Sequence, residues 1–546
     1  MKRLTLWLLC LGSLFVNAAA WAGGTDSLRY LPVQDGGRIK PYDTFARESL
    51  ELIHGKTKFK GKDALEVVTT WMVIPDSWEQ IELLELRQSG LRQALNLDPK
   101  RILYTPAEIL GHERLPVVIQ ELRSARERGE KLNPYFQAVQ RLENQLSLFQ
   151  AIKAGIAVRL VPQTSSDTWL AANELPDELK QKFGQMLTQF VQTINGQSEG
   201  EAEAGKALED AVQDFVAAAR TIVPDQYASD MAIKTEVHYN RFHPFKWAWI
   251  FYLLAAIGFV AFLVSDKTRW TRMGWIFLSL GMVLHTYGMA LRSYLSGRPP
   301  VTNMYETVVW VPWGVLLFAA VLYRFQRKVF LPLAACVVAI MCLILTDLAP
   351  TVLDDSIQPL EPVLRSTFWL STHVLIISIS YAAFFLAFAL GDWVLFMYLR
   401  DESKYAKEIA STVNAIYRSI QIGVVLLAAG TILGGVWAAY SWGRFWGWDP
   451  KETWAFIALM GYLALLHGRL AGLVKNFGMA AGAVVSFSLV IMAWYGVNFV
   501  LGAGLHSYGF GAGGVEWVSG FVALHLIYVV FAATVRRSRL KGSKVV

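Results

Sequence analysis

One short segment of the chain combines many indole rings with glycines and charged residues. Residues 437–454 read Trp-Ala-Ala-Tyr-Ser-Trp-Gly-Arg-Phe-Trp-Gly-Trp-Asp-Pro-Lys-Glu-Thr-Trp, and we call this segment the tryptophan loop. Gly443 and Gly447 would allow a flat ligand to approach the backbone closely. The indoles would line a wall for a large planar apolar body with polar edges. The candidate wall residues are Trp437, Trp442, Trp446 and Trp448.

Two features of the tryptophan loop also have structural explanations. Membrane proteins carry aromatic belts at the membrane surface, although a belt requires neither the glycines nor the Asp-Pro-Lys-Glu run. Asp449 could contact a ligand, or it could cap the next helix with Pro450 at the first helical position. The density of the motif favours functional use over a belt, and the two roles of Asp449 stay open.

Two histidines are predicted to lie at the same membrane face as the tryptophan loop. His373 lies about one turn inside the outer end of the fifth apolar span, and His506 lies in the outer loop after the eighth span. Neutral imidazole is a common axial ligand of haem iron, so two histidines from separate helices would bind the two faces of one porphyrin. Either histidine alone could equally be a loop or capping residue. Their coincidence with the tryptophan loop favours a haem site.

Three further histidines lie within predicted spans, where a polar side chain suggests function. His467 is near the inner end of the seventh span, and His285 is about two-thirds of the way across the second span from the cytoplasm. At about 1.5 Å per residue their depths differ by roughly 10 Å, which is too far for an easily shared iron. His525, midway down the last span, is compatible with a packed, hydrogen-bonded core histidine.

The composition is that of a membrane protein. Of 546 residues, 54% are apolar and 17% are charged, and the mean hydropathy is +0.34, which is too apolar for a soluble multi-domain enzyme. All three cysteines lie in apolar runs, so a disulfide framework and a CxxC redox pair are both excluded. These cysteines are Cys10, Cys336 and Cys342.

The chain divides into three predicted parts. Residues 1–22 have the basic, apolar and small-residue order of a secretory signal peptide. Residues 23–245 are water-soluble in composition and indicate an exported (periplasmic), mostly helical domain. Residues 246–546 would then form an all-α polytopic membrane domain of about nine transmembrane helices, surrounded by membrane lipid. The predicted spans are 247–264, 275–291, 305–322, 330–345, 368–399, 416–437, 453–470, 478–501 and 517–535.

The distribution of basic residues agrees with an exported N-terminal domain. Most Lys and Arg residues of the membrane part fall in segments that this orientation places in the cytoplasm, as the positive-inside rule requires. The formal net charge of +7 is therefore explained without nucleic acid as a partner. The sequence predicts a multi-pass protein of a bacterial inner membrane with a cytoplasmic C-terminus. The few basic residues in predicted exported loops are Arg292, Arg298, Arg365, Arg444 and Lys451.

The segment Trp442-Gly-Arg-Phe-Trp-Gly-Trp-Asp-Pro-Lys-Glu452 resembles the tryptophan-rich WWD signature of the haem-handling protein superfamily. The closest resemblance is to the CcsA (ResC) branch of system II cytochrome c biogenesis, and it covers most of residues 270–535. Residues 31–43 resemble, more weakly, the exported piece that precedes CcsA in fused CcsBA chains. The resemblance is also carried by Arg292-Ser-Tyr-Leu-Ser-Gly-Arg-Pro-Pro-Val-Thr-Asn-Met-Tyr-Glu306, Trp369-Leu-Ser-Thr-His373, His467, Gly496-Val-Asn-Phe499 and Leu505-His-Ser-Tyr508.

The resemblance implies a set of haem ligands. His373 and His506 would be the exported-side axial ligands of haem b, with the tryptophan loop holding the ring between them. His467 would ligate haem lower in the membrane, on its way out. The family's other intramembrane ligand comes from the CcsB (ResB) part, whose opening spans this chain lacks. Either a separate ResB-like subunit supplies that histidine, or His285 substitutes for it.

The resemblance also implies an activity, that of a holocytochrome c synthase. Two thiols of an apocytochrome CxxCH motif would add across the two haem vinyl groups, with this chain positioning the reactants and supplying no acid or nucleophile. The positioning residues would be those at 442, 446, 448 and 449 in the tryptophan loop. The nearest alternative is a haem-delivery protein of the CcmC type, which passes haem to a carrier. The third hypothesis is a proton-conducting subunit of a respiratory complex, with His285, His467 and His525 as relay groups.

Overall fold

The computed structural model of the chain describes residues 24–130, 132–196, 201–227, 229–349, 352–360, 364, 366–502 and 513–542. The chain forms two compact units that divide between Phe242 and His243. Most of the described residues are helical, which confirms the predicted all-α membrane class. The predicted signal peptide, residues 1–22, and the candidate ligand His506 lie outside the described residues.

The N-terminal unit is mostly helical, as predicted. Several of its helices begin with sequence-encoded caps. Thr105 and Glu108 form a capping box with Pro106 in the first turn, and Asn133 caps the helix Pro134–Lys153 through the backbone N–H of Phe136. Its α-helices are α1 (Tyr42–His54), α2 (Ala64–Val73), α3 (Pro75–Glu79), α4 (Ser89–Ala94), α5 (Pro106–Leu110), α6 (Leu115–Glu127), α7 (Pro134–Lys153), α8 (Asp177–Asn195), α9 (Glu201–Arg220) and α10 (Asp230–Phe242).

The described residues of the N-terminal unit also form three small antiparallel sheets that the sequence did not predict. The largest joins β2 (Arg38–Pro41), β1 (Pro32–Asp35), β7 (Arg159–Gln163) and β8 (Ser166–Ala171) in that order, and the other two have two strands each. Residues 31–43 form the β1–β2 hairpin and the start of α1, and Arg38 of β2 donates to both carboxylate oxygens of Glu236 on α10, each at 2.8 Å. The strands are β1 (Pro32–Asp35), β2 (Arg38–Pro41), β3 (Lys58–Phe59), β4 (Lys62–Asp63), β5 (Leu84–Glu85), β6 (Leu103–Tyr104), β7 (Arg159–Gln163) and β8 (Ser166–Ala171).

The second unit is a bundle of membrane helices. Nine helices within the described residues are long and apolar enough to cross a bilayer, which confirms the predicted number of spans. A helix bonds its interior backbone groups within itself, which suits it to the apolar interior of a membrane. These helices are α11 (Pro244–Ser265), α12 (Thr268–Ser296), α13 (Met304–Gln326), α14 (Phe330–Leu348), α15 (Leu375–Asp401), α16 (Ala406–Trp442), α17 (Pro450–Leu470), α18 (Asn476–Ile491) and α19 (Val515–Gly542).

The first three membrane helices are joined by a close glycine contact and by a buried ion pair. A Cβ at Gly258 of α11 would lie 3.0 Å from the backbone nitrogen of Gly274 on α12, so glycine permits this close approach. Arg292 at the end of α12 is fully buried and pairs with Glu306 of α13 at 2.8 Å. Arg292 also donates to the carbonyl oxygen of Asp355 at 2.7 Å. These contacts give a structural role to segment 292–306.

Two membrane helices change their winding at the same end of the bundle. We call this end, where α16 ends and α17 begins, the tryptophan-loop end. α15 begins there after a π-helical segment, Leu370–Val374, and α18 continues into a second π-helical segment, Met492–Leu501, which ends there. Nζ of Lys451, at the start of α17, lies 3.5 Å from the carbonyl oxygen of Trp494. This contact joins the start of α17 to the second π-helical segment. Such π-helical turns frequently occur at functional sites.

Candidate functional site at the tryptophan-loop end

His373 is held against the backbone of α16. It lies in the π-helical segment before α15, and its Nδ1 is 2.8 Å from the carbonyl oxygen of Gly430. A carbonyl oxygen only accepts hydrogen bonds, so Nδ1 carries the proton and donates it. The neutral ring therefore has its lone pair on Nε2, the form in which an imidazole binds a metal. The His373 ring also occupies the space above Gly434, where a Cβ would lie 2.6 Å from Cε1.

The His373 ring contacts the first ring of a group of three aromatic side chains. Its ring centroid is 5.7 Å from that of Trp437, at an interplanar angle of 66°. Trp437 is parallel to Trp369, with ring centroids 6.5 Å apart and an interplanar angle of 8°. Tyr440 completes the group, 5.8 Å from Trp369 and 79% exposed. The His373 imidazole, with its tautomer fixed, therefore lies beside two parallel indoles. Such aromatic faces suit the stacking of a planar aromatic ligand.

Trp446 and Trp448 of the tryptophan loop form a second aromatic group with Phe456 of α17. Trp446 and Trp448 meet edge to face with centroids 5.8 Å apart, and each is 6.4 Å from Phe456. Trp448 is 68% exposed. The structure therefore brings Trp437 to His373, whereas Trp446 and Trp448 gather around Phe456 and Trp442 lies near the Arg444 guanidinium. The four tryptophans thus do not form one continuous surface, and their binding of a ligand stays a prediction.

Polar side chains of the tryptophan loop form hydrogen bonds to one another and to the loop backbone. Arg444 donates to Glu452 at 3.0 Å, and its guanidinium lies 5.9 Å from the centre of the Trp442 ring. The backbone N–H of Gly447 donates to the other carboxylate oxygen of Glu452 at 2.8 Å. A Cβ at Gly447 would overlap Nη1 of Arg444, and Gly443 ends α16 with a φ of +70°. Both glycines therefore have a local structural role, whether or not a ligand also approaches them.

Asp449 is a helix cap in the structure. Its Oδ1 accepts from the backbone N–H of Lys451 at 2.9 Å, and it forms a capping box with Glu452 at the start of α17. Pro450 occupies the first helical position, as expected for a helix start. This is the structural alternative that the sequence left open. A ligand-binding role for Asp449 stays a prediction.

The π-helical segment that follows α18 also lies at the tryptophan-loop end. Tyr495 stacks on Phe499 with centroids 4.5 Å apart, and the side-chain amide of Asn498 donates to the carbonyl oxygen of Trp494 at 2.9 Å. His506 follows this segment and lies outside the described residues. The predicted pairing of His373 with His506 around one iron therefore stays a prediction.

His467 is placed near the opposite end of the bundle. It lies in the last turn of α17, and its exposed ring bonds through Nδ1 to the carbonyl oxygen of Leu463 at 2.8 Å. This bond again puts the proton on Nδ1 and the lone pair on Nε2. His373 and His467 thus share a tautomer but not an end of the bundle, and the predicted haem ligation by His467 stays a prediction.

His285 is enclosed between three helices. Its ring is fully buried, and its Nδ1 and Nε2 lie 3.0 Å from the Tyr252 hydroxyl of α11 and the Val309 carbonyl oxygen of α13, respectively. The carbonyl requires a proton on Nε2, so Nδ1 accepts from the tyrosine. Both nitrogens are occupied, and iron could bind neither without breaking a buried hydrogen bond. This geometry argues against the substitution of His285 for a missing ligand.

His525 contacts an acidic side chain within the bundle. Its Nδ1 donates to the carbonyl oxygen of Phe521 at 2.7 Å, and its Nε2 is 3.3 Å from a carboxylate oxygen of Asp392 on α15. Phe388 packs against the same ring with centroids 4.9 Å apart. The packed, hydrogen-bonded environment is the one expected for His525, with an acidic partner added.

Two neighbours of His373 were not identified from the sequence. Gly430 and Gly434 precede Trp437 at positions i, i+4 and i+7, a spacing that places all three on one face of α16. That periodicity was available as a signal, but it does not reveal which helix faces it. Among the described residues no group of three or more His, Cys, Asp or Glu could hold a metal ion, and a haem site needs only two axial ligands.

Comparison with known proteins identifies the class. A family model described as "Cytochrome C assembly protein" matches residues 301–506, which include segment 301–306, His373 and the tryptophan loop. Protein NrfI of Wolinella succinogenes is 30% identical over 505 residues, which are 86% of this chain and 53% of NrfI. The chain thus spans about half the length of NrfI.

Shorter relatives are covered more fully. The cytochrome c biogenesis protein CcsA of Prochlorococcus marinus strain MIT 9312 is 36% identical over 259 residues, which are 42% of this chain and 81% of that protein. CcsA of strain NATL2A is 33% identical over 298 residues, which are 48% of this chain and 92% of that protein. The membrane unit is therefore that of a cytochrome c assembly protein. More narrowly, the chain belongs to the CcsA-type family of cytochrome c biogenesis proteins, which confirms the resemblance found in its sequence.

Proposed function

We propose that the membrane unit holds haem b at the tryptophan-loop end and presents the haem vinyl groups to the CxxCH segment of an apocytochrome c. One observation carries this proposal in a chain of the CcsA-type family. The imidazole of His373 is fixed by the Gly430 carbonyl with its lone pair on Nε2, beside the parallel indoles of Trp369 and Trp437.

The residues of this end would act by positioning. His373, with His506 as second axial ligand, would fix the iron and control its redox state. The indoles would fix the plane of the ring, so that the vinyl edge faces the incoming thiols. The thiols and the haem carry the addition chemistry, so the chain need not supply an acid or a nucleophile. The histidine of the CxxCH segment could then replace one axial ligand and favour release.

A second haem position would involve His467. Its exposed imidazole, with Nδ1 held by Leu463, presents Nε2 at the outer surface of α17. An iron there needs another ligand from outside this helix, and the enclosed His285 would have to break a buried hydrogen bond to provide it. We therefore favour a ResB-like (CcsB-like) subunit as the source of the second ligand, with haem moving from this position to the tryptophan-loop end.

The proposed orientation in the membrane is based on the distribution of basic residues. The tryptophan-loop end would face the periplasm, with the N-terminal unit on the same side of a bacterial inner membrane and the C-terminus in the cytoplasm. The basic residues Arg536, Arg537 and Arg539 near the end of α19 support this orientation, because positive charge is enriched at the cytoplasmic face.

Co-expression with an apocytochrome c tests the proposal. The full chain, with and without a ResB-like partner, is expected to yield a covalently haem-stained cytochrome that survives denaturing electrophoresis. Bound haem without any thioether product, even with the partner, would instead indicate a delivery protein of the CcmC type. A colourless preparation that remains functional in the cell would support the proton-relay reading.

A further inference from the structure

We infer that Gly430 and Gly434 are positioning residues that select the ring nitrogen with which His373 binds haem iron. This inference rests on the proposed haem site. It assigns a role to two glycines of α16 that lie outside the tryptophan loop and contribute no side chain. Their effect is exerted through the imidazole, on its tautomer and on its orientation.

The carbonyl oxygen of Gly430 sets the tautomer. It lies 2.8 Å from Nδ1 of His373, and it belongs to helix backbone that cannot rotate away or become protonated. A histidine that ligates a metal commonly donates its other ring N–H to such a carbonyl, which fixes the ring and increases the basicity of the ligating nitrogen. In this arrangement Nε2 is the ligating nitrogen of His373.

Because Gly430 and Gly434 have no side chains, α16 can approach both α15 and the His373 ring closely. A Cβ at Gly430 would lie 3.0 Å from the backbone Cα of Ile377 on α15, so the glycine allows α15 and α16 to approach. A Cβ at Gly434 would lie 2.6 Å from Cε1 of His373 and 3.2 Å from Nε2. Contacts under 3.0 Å require one partner to move, so alanine at position 434 would displace the imidazole.

The tautomer can be tested with small ligands in place of the side chain. In a His373→Gly variant, 4-methylimidazole reproduces the histidine ring with its methyl group in the position of Cβ, and it keeps the N–H that would reach the Gly430 oxygen. The isomeric 1-methylimidazole has a methyl group on that nitrogen and cannot donate. Each is titrated into the haem-loaded variant, and low-spin haem absorbance gives the apparent Kd. The same titrations with free haem in detergent correct for intrinsic differences between the two ligands.

We expect the corrected affinity of 4-methylimidazole to exceed that of 1-methylimidazole by about tenfold or more, the lower limit found when an outer-shell partner of a metal ligand is lost. Equal corrected affinities would overturn the inference while leaving the haem site in place. Wild-type protein that binds no haem would instead overturn the proposed function. The two failures are therefore distinguishable.

A second variant tests the space above Gly434. Gly434→Ala is expected to shift the midpoint potential and the low-spin spectrum of bound haem, because the displaced imidazole loses its bond to Gly430. The matched control is Gly520→Ala on α19, where a Cβ would meet no atom within 4 Å. An unchanged potential and spectrum in Gly434→Ala, equal to those of the control, would contradict the positioning role.

Discussion

The surroundings of His373 and His285 show two ways of holding a histidine inside the same helical bundle. The His285 ring is fully buried, and both its nitrogens bond to neighbouring helices, to the Tyr252 hydroxyl and the Val309 carbonyl oxygen. His373 is partly exposed, and its Nδ1 proton is directed at the carbonyl of Gly430. A nitrogen that holds a buried hydrogen bond cannot bind iron without losing that bond. The contrast therefore separates a histidine that packs helices from one whose geometry suits ligation.

The other two membrane histidines extend this comparison. His467 and His525 each donate Nδ1–H to the carbonyl oxygen one turn earlier in their own helix, at 2.8 and 2.7 Å. They differ at Nε2, because His525 faces Asp392 on another helix whereas His467 lies on the exposed surface of α17. Both nitrogens of His525, like those of His285, therefore have polar neighbours, whereas His467, like His373, has its Nδ1 proton held by a backbone carbonyl. Substitutions at His373, His285 and Asp392 test this division, and substitutions at Asp449 extend it to the tryptophan loop.

The largest effect is expected for His373→Gly. Removal of the imidazole should lower haem affinity by at least the roughly 10–100-fold that loss of an outer-shell partner alone costs a metal site. Added imidazole should restore the low-spin spectrum. The measurement is the haem absorbance of purified protein, and His112→Gly in the N-terminal unit is the matched control. A His373→Gly protein that keeps the wild-type spectrum without imidazole would remove His373 from the site.

His285→Leu should give the opposite result. The substitution leaves the Tyr252 hydroxyl and the Val309 carbonyl without their buried partner, at about 1–3 kcal/mol for each group. We therefore expect the free energy of unfolding to fall by about 2–6 kcal/mol, with the haem spectrum per folded molecule unchanged. Denaturant unfolding in detergent measures the first quantity and haem absorbance the second. A stable variant that has lost haem would make His285 a ligand and break the comparison.

The His525–Asp392 contact should show a smaller effect that depends on the substitution. The Phe521 carbonyl requires a proton on Nδ1, so Nε2 and the carboxylate are joined by one further proton, as an ion pair or as a neutral carboxylic acid and imidazole. Asp392→Asn can still donate to Nε2 and should cost less than about 1 kcal/mol, whereas Asp392→Leu should cost about 1–3 kcal/mol. Equal losses in the two variants, measured by thermal unfolding, would show that the negative charge itself is required.

The sequence predicted the elements of this bundle better than their contacts. Nine long apolar runs predict nine spans because the thickness of the bilayer sets the length of each helix. His373 and the tryptophans were identified by residue type. The Gly430 carbonyl was not, because it lies 57 residues away and becomes a partner only through the packing of α15 on α16. Backbone groups carry no sequence signature for this role.

Two other features escaped prediction for related reasons. The π-helical segments Leu370–Val374 and Met492–Leu501 read as ordinary apolar helix, since a change of winding leaves the composition unaltered. The largest sheet of the N-terminal unit pairs β1 with β7 at Gln34 and Arg159, a distant pairing between strands too short for a clear alternating pattern.

The smallest effect is expected for substitutions of Asp449. They test whether this residue of the tryptophan loop only stabilises the protein or also binds a ligand. Its side chain is 6% exposed and caps α17, so Asp449→Ala should lower the unfolding free energy by about 0.5–2 kcal/mol. Asparagine is as good a cap as aspartate but carries no charge. If capping is the whole role of Asp449, Asp449→Asn should restore both stability and covalent haem attachment. Restored stability without restored attachment would show that the carboxylate also acts on haem or on the apocytochrome, because the helix start would then be intact and only the charge missing.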